Sequence, residues 1–254
     1  MAEKLHRNEV PDMGKETSKV FAGYYKSETN KEMYAETAKF FADKIIDRLP
    51  VRENPYTIAD IGAFQGELLG NIISLLPEYK FKTTAIDINA DALLNNKANQ
   101  KINADVNNIP LPDQSVDIAI MRYVLQFNSI QKQREIIREI ARIIKSFALI
   151  EHVGADIEET EEWRDRMDKL FRGQDVPKLL RTGYFFSSRA EIEAWFKQGN
   201  INFERLKDKK INNAMDVYIE RYDLDKGEAE KAINIMGDKN YFRQTDWVIY
   251  PKNT

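Results

Sequence analysis

The chain has 254 residues, 43% of them hydrophobic, and a formal net charge of -3. That is enough to bury a full core, and one α/β domain over residues 1–254 with insertions is expected rather than two small domains. The 31% charged residues are mixed in sign, which leaves no basic footprint for nucleic acid, and the absence of cysteine removes disulfides, thiolate catalysis and cysteine metal sites.

No apolar run approaches the roughly 20 residues of a membrane span, so no membrane partner is expected. The first stretch, "MAEKLHRNEVPDMGKE", is polar and lacks the apolar core of a signal peptide, so the expected location is cytoplasmic. Residues 1–20 read as a mobile arm. From Glu28 onward Tyr34, Ala38, Phe41, Ile45 and Leu49 recur at helical spacing until Pro50 and Pro55, which places an N-terminal cap helix within 21–50.

Strand and helix then alternate. "YTIADIG" (56–62) reads as a buried strand, and the next segment puts Leu68, Leu69, Ile72, Ile73 and Leu76 on one helical stripe. "KFKTTAIDI" (80–88) is a second strand, followed by a short helix and a short third strand near Ile102. "VDIAIMRYVLQF" (116–127) is a fourth strand, Ile136, Ile137, Ile140, Ile143 and Ile144 line the buried face of a helix, and "FALIEHV" (147–153) is a fifth strand. This order predicts a Rossmann-like, doubly wound, mostly parallel sheet with helices on both faces.

After residue 153 the alternation is interrupted. A helix carrying Trp163, Met167, Leu170 and Phe171 on its apolar stripe belongs to a lid insertion over 154–186, and Tyr184, Phe185 and Phe186 extend the stripe. This stripe reads either as core or as the wall of an apolar substrate pocket, with Trp163, Phe171 and Tyr184 as substrate-binding candidates. Ser188 and Glu191 form a capping box opening a helix that closes at Gly199. A sixth strand over "INFERLKDK", helices in 215–237 broken near Asp225, and a final strand in "QTDWVIYP" complete a seven-stranded sheet.

In doubly wound sheets ligands bind beyond the carboxyl ends of the strands, where the strand order reverses. Asp60, Asp87 and Asp105 all fall at or just after strand ends. A carboxylate in the position of Asp87, some 20 residues beyond a glycine turn, is placed to accept the two ribose hydroxyls of an adenosine; capping of the next helix is the competing reading. Gly62 and Gly66 permit a tight turn, while Asp60 either contacts the ligand or braces that turn.

Taken together, "DIGAFQG", "AIDI", "ADVNNIPLPDQSVDIAIMRYVLQF", "REIIREIARIIK" and "FALIEHV" resemble the class I S-adenosylmethionine-dependent methyltransferases of the small-molecule branch, over roughly residues 20–153. The resemblance implies a seven-stranded sheet with the last strand antiparallel and S-adenosylmethionine as cofactor. It further implies that Asp60, Gly62, Ala63, Phe64 and Gly66 surround the methionine part, that Asp87 holds the ribose, that Ile88 covers the adenine, and that Asp105 and Val106 read its edge. Arg122 would line the methyl-transfer face, and Tyr25, like Tyr24, would fold over the cofactor.

Two departures stand out: Phe64 replaces the usual middle glycine, and Lys145-Ser146 replaces the usual Pro-Gly-Gly turn before the fifth strand. His152, at the end of the fifth strand, and Tyr123 are the candidates for catalytic contact with the acceptor. With two histidines and no cysteine, no metal is expected. The expected partner is a small, partly hydrophobic acceptor, and the chain is expected to be a monomer or homodimer. A methyltransferase acting on RNA or protein, a non-catalytic scaffold of the same fold and a NAD-dependent oxidoreductase are the competing functions, although the absence of a basic face argues against RNA and the oxidoreductase normally shows G-x-G-x-x-G.

Overall fold

In a computed structural model of the protein, residues 28–154, 160–179 and 184–251 are described. The expected arm, Tyr24, Tyr25 and residues 155–159 and 180–183 of the insertion lie outside these. Helix α1 (Glu28–Ile46) leads to strand β1 (Tyr56–Ile61), α2 (Glu67–Leu75), β2 (Phe81–Asp87), α3 (Ala90–Asn95), β3 (Gln100–Asn103) and β4 (Val116–Arg122). Then come α4 (Ile130–Ile143), β5 (Ile144–Gly154), α5 (Thr160–Arg172), α6 (Arg189–Gln198), β6 (Phe203–Asn212), α7 (Ala214–Tyr222), α8 (Lys226–Met236) and β7 (Tyr241–Ile249).

The sheet order is β3-β2-β1-β4-β5-β7-β6. Pairings from β3 through β5 are parallel, and β7 runs antiparallel to both β5 and β6. Alternation along β4 shows why both faces are covered. Ile118 and Ile120 pack with Ala38, Phe41 and Ile45 of α1 and Leu69 and Ile72 of α2. Ala119 and Met121 meet Ile136, Ile137 and Ile140 of α4 and Phe196 of α6. Burial is nearly complete along β1, β4 and β5, whereas the edge strands β3 and β6 are largely open.

Local signals account for several boundaries. The Ser188 and Glu191 capping box opens α6, and a second one, Asp225 with Glu228, opens α8. The missing Pro-Gly-Gly turn has a simple outcome: α4 passes straight into β5 at Ile144, which is extended at φ -79 and ψ 143. Lys145 and Ser146 are therefore already strand residues. The fourth strand is shorter than expected, because the chain leaves extended geometry at Tyr123, with φ 55, and forms a 3-10 turn over Leu125–Phe127. Among the described residues no helix is long and apolar enough to cross a membrane.

Candidate active site

The strand order reverses between β1 and β4, and the chain leaves β1 there through the turn from Gly62 to Gly66. Gly62 has φ 73, and a Cβ on it would overlap Val124 Cγ2; Gly66 has φ 90, and a Cβ there would press on the Asn96 amide. Both glycines are thus required by the protein's own packing. Phe64 adopts φ 44, a left-handed conformation that costs a Cβ-bearing residue about 1–2 kcal/mol. Two bonds hold it: its N–H donates to Asp87 Oδ2 at 2.8 Å, and its carbonyl accepts from Asn96 Nδ2 at 3.1 Å. The turn therefore forms without its middle glycine. Ala63 packs beside it against Ala85 and Leu93.

Around this turn stand three carboxyl groups. Asp60 is 3% exposed. Burial, then the neighbouring charges of Asp87 and Glu67, push its pKa up to about 8. Glu67 Oε2 is buried with no hydrogen-bond partner among the described residues, and burial raises this carboxyl too. Asp87 is also raised, chiefly by burial, against the opposing N–H donors of Asn89 and Phe64. Bracing of the turn, expected as one role of Asp60, falls to Asp87 instead. The cap of α3 is Asn89, which accepts from Ala92 N–H, so Asp87 is not the helix cap. Its two oxygens take one N–H each, from Phe64 and Asn89, and each retains acceptor capacity.

Beyond β2, Ile88 is 60% exposed. Asp105 Oδ1 accepts from Asn107 N–H at 3.3 Å, and Oδ2 pairs with Lys132 Nζ at 3.1 Å. Val106 is buried.

At the end of β4 Arg122 donates from Nε to Glu151 Oε1 at 2.8 Å and contacts Thr37 Oγ1 at 3.3 Å. Its guanidinium carbon lies 4.1 Å from the ring centroids of both Tyr34 and Tyr123. The Arg122 side chain is only 3% exposed and is paired with Glu151. The pair belongs to a row in register across four strands: Arg122 beside Glu151, Glu151 beside Asp246, and Asp246 beside Lys207. Asp246 is fully buried, and burial followed by the Glu151 charge pushes its pKa up to about 8. Tyr123 is tied to this row, its hydroxyl donating to Gln244 Oε1 at 3.3 Å while Gln244 Nε2 donates to Glu151 Oε2 at 3.1 Å.

His152 requires correction as a proton acceptor. It is 1% exposed, its Nε2 lies 3.2 Å from the Ser187 carbonyl, and burial holds its pKa down to about 4. It is a neutral, enclosed ring packed near Trp247. The pocket-wall reading of Trp163, Phe171 and Tyr184 fails on packing as well. All three are at most 1% exposed, within an aromatic core formed by α5, α7, α8 and β7. Phe171 meets Tyr184 edge-on at 4.8 Å, and Trp163 Nε1 donates to the Tyr241 carbonyl at 2.6 Å. Among the described residues the stripe is buried against α7, α8 and β7.

Glu151, Gln244 and Asp246 escaped the sequence reading, although charged residues inside "FALIEHV" and "QTDWVIYP" were visible as anomalies in buried strands. Lys132 escaped too, because nothing in its helix distinguishes it from a solvated lysine.

Residues 60–150 match the family model described as a methyltransferase domain. Over those residues the chain is similar to methyltransferase domains. Its fold is that of the class I S-adenosylmethionine-dependent methyltransferases. YcgJ from Bacillus subtilis is similar in structure, with TM-score 0.67 at 15% identity over 86% of this chain and 99% of that one. Geranyl diphosphate C-methyltransferase from Streptomyces coelicolor A3(2), solved with Mg2+, geranyl diphosphate and S-adenosyl-L-homocysteine, gives 0.56 at 11% identity over 94% and 85%. The cyclase SpnF gives 0.55 at 15% identity over 84% and 80%, so the methyltransferase fold is shared with a protein of another activity. No curated protein matches the sequence significantly.

Proposed function

We propose that this methyltransferase domain binds S-adenosylmethionine and transfers its methyl group to a small acceptor. The carrying observation is the set of buried carboxyls at the end of β1. Glu67 Oε2 is without a hydrogen-bond partner among the described residues, and burial raises the pKa of both Asp60 and Glu67, so both are destabilised as anions where they stand. A ligand bringing positive charge would relieve both, and S-adenosylmethionine carries an ammonium and a sulfonium. The residues present fit that group. Asp60 and Glu67 would face its cationic end, Asp87 would accept from ribose hydroxyls, Ile88 would cover the adenine, and Asp105 and Val106 would meet the adenine edge.

When bound, the cofactor supplies an electrophilic methyl group on a positively charged sulfur. The protein's part is to align and to exclude water. The turn from Gly62 to Gly66, stiffened by Asp87 and Asn96, fixes the backbone on one side. Tyr123, held by Gln244 and by the Arg122 guanidinium, is the side chain offered to the acceptor from the end of β4. A small acceptor is favoured by the mixed-sign charge and by the geranyl diphosphate enzyme among the structural neighbours.

Thermal shift with S-adenosylhomocysteine, S-adenosylmethionine and NAD tests the reading. Stabilisation by the first two is expected. Stabilisation by NAD alone would refute it, and no response to any of the three would favour a non-catalytic scaffold. Asp87→Ala should abolish the shift; unchanged binding would remove the ribose assignment.

A further inference from the structure

The loop after β3 is fastened to α4 by successive rungs from Lys132, Glu135, Glu139 and Arg142, the last donating to the Ile109 and Leu111 carbonyls. Lys132 Nζ pairs with Asp105 Oδ2 at 3.1 Å, Glu135 Oε2 accepts from Asn107 Nδ2 at 3.4 Å, and Glu139 Oε2 accepts from Ile109 N–H at 3.0 Å. The spacing of 132, 135 and 139 puts all three side chains on one helix face. Only the first rung involves a residue assigned to the base of the cofactor. At Glu135 and Glu139 the helix offers acceptors to the loop, whereas at Lys132 and Arg142 it offers donors. Both partners of the first rung are accessible, with side chains 36% and 33% exposed for Lys132 and Asp105.

This places an anionic acceptor and a cationic donor side by side where the purine edge would lie. A 6-aminopurine presents a donor to Asp105. A 6-oxopurine presents a carbonyl acceptor at position 6 with an N1–H donor beside it; the carbonyl is repelled by a carboxylate and satisfied by an ammonium, which leaves Asp105 the N1–H. Lys132 has three N–H donors, and Asp105 uses one of them. We propose that Lys132 is a specificity-determining residue of the base subsite, making it tolerant of a 6-oxo base as well as a 6-amino base. This rests on the cofactor reading above.

The test is calorimetric binding of two probes, S-adenosylhomocysteine and its 6-oxo counterpart S-inosylhomocysteine, to the full-length wild type and to Lys132→Met and Lys132→Arg. Wild type is expected to bind both, the 6-oxo probe within about tenfold of the other. Lys132→Met should weaken the 6-oxo probe by about tenfold or more and the 6-amino probe by less than about threefold, and Lys132→Arg should restore the 6-oxo probe. A merely structural rung would weaken both probes equally, and that result overturns the inference. So does a wild type that binds S-adenosylhomocysteine but not the 6-oxo probe, or a Lys132→Met variant unchanged toward both. A wild type that binds neither probe overturns the cofactor reading itself and the inference with it.

Discussion

Replacing Asp60 by Asn removes one ionisable proton and little volume, so its effect isolates the charge. Asp60 is 3% exposed, and burial together with Asp87 and Glu67 pushes its pKa from 3.8 to about 8. The sign follows from linkage. A carboxyl whose pKa is higher in the folded protein than in the unfolded chain binds its proton more tightly when folded. Its contribution to stability is therefore complete below the unfolded value and is lost as pH rises through the folded one. Within that window the slope approaches about 1.4 kcal/mol per pH unit, and the loss from about pH 6 to about pH 8 is on the order of 2 kcal/mol. Asn does not titrate, so the variant escapes this decline. The melting temperature of Asp60→Asn minus that of wild type should rise by roughly 4–8 °C over that interval, the usual conversion for a chain of this size. Asp246 and His152 titrate in both proteins and cancel in the difference. Differential scanning calorimetry in matched buffers is the assay. A difference independent of pH would refute the claim that Asp60 is an uncompensated buried carboxyl, and with it the strongest argument for a cationic ligand.

Gly62→Ala should destabilise by about 1–3 kcal/mol in urea unfolding, because φ 73 and the Val124 contact both oppose a Cβ; a loss below about 0.5 kcal/mol would contradict the geometry. Arg122→Met should cost about 3–5 kcal/mol by leaving Glu151 and Asp246 buried without their guanidinium, whereas Asp246→Asn should be neutral or stabilising. Equal losses in the two variants would show that the row is not governed by charge. His152, held down to about 4 by burial, binds its proton more tightly when unfolded, so stability should fall as pH drops from about 6.5 toward 4. His152→Leu should flatten that acid limb in a pH series of melts, and an unchanged limb would count against the buried neutral ring.

Most of the architecture was legible because hydrophobic periodicity is a local property. The stripe on α4 and the buried runs of β1, β4 and β5 announced both faces of the sheet before any contact was known. The capping box at Ser188 is likewise local, since Ser188 and Glu191 are three residues apart. The acids Asp60, Asp87 and Asp105 were legible as strand-end carboxylates, and their places at the ends of β1 and β2 and beyond β3 follow from strand order alone.

The partners of those groups could not be read the same way, because partnership depends on which distant segments the sheet brings together. Asp87 braces Phe64 across 23 positions, Lys132 meets Asp105 across 27, and Glu151 binds Gln244 across 93. Direction was equally hidden. The helical spacing of Trp163, Met167, Leu170 and Phe171 marked an apolar face correctly but not what it faces, and the aromatic core with α7 and α8 answered that. Burial decided the chemistry of His152 and Asp60 in opposite senses, keeping one neutral by stripping its proton and the other by retaining it. The amino-acid sequence by itself determined the layers, the strand-end turn and the acids beside it. Only the tertiary structure decided which of those groups find partners and which are buried at a cost, because desolvation and cross-strand register are properties of the assembled sheet.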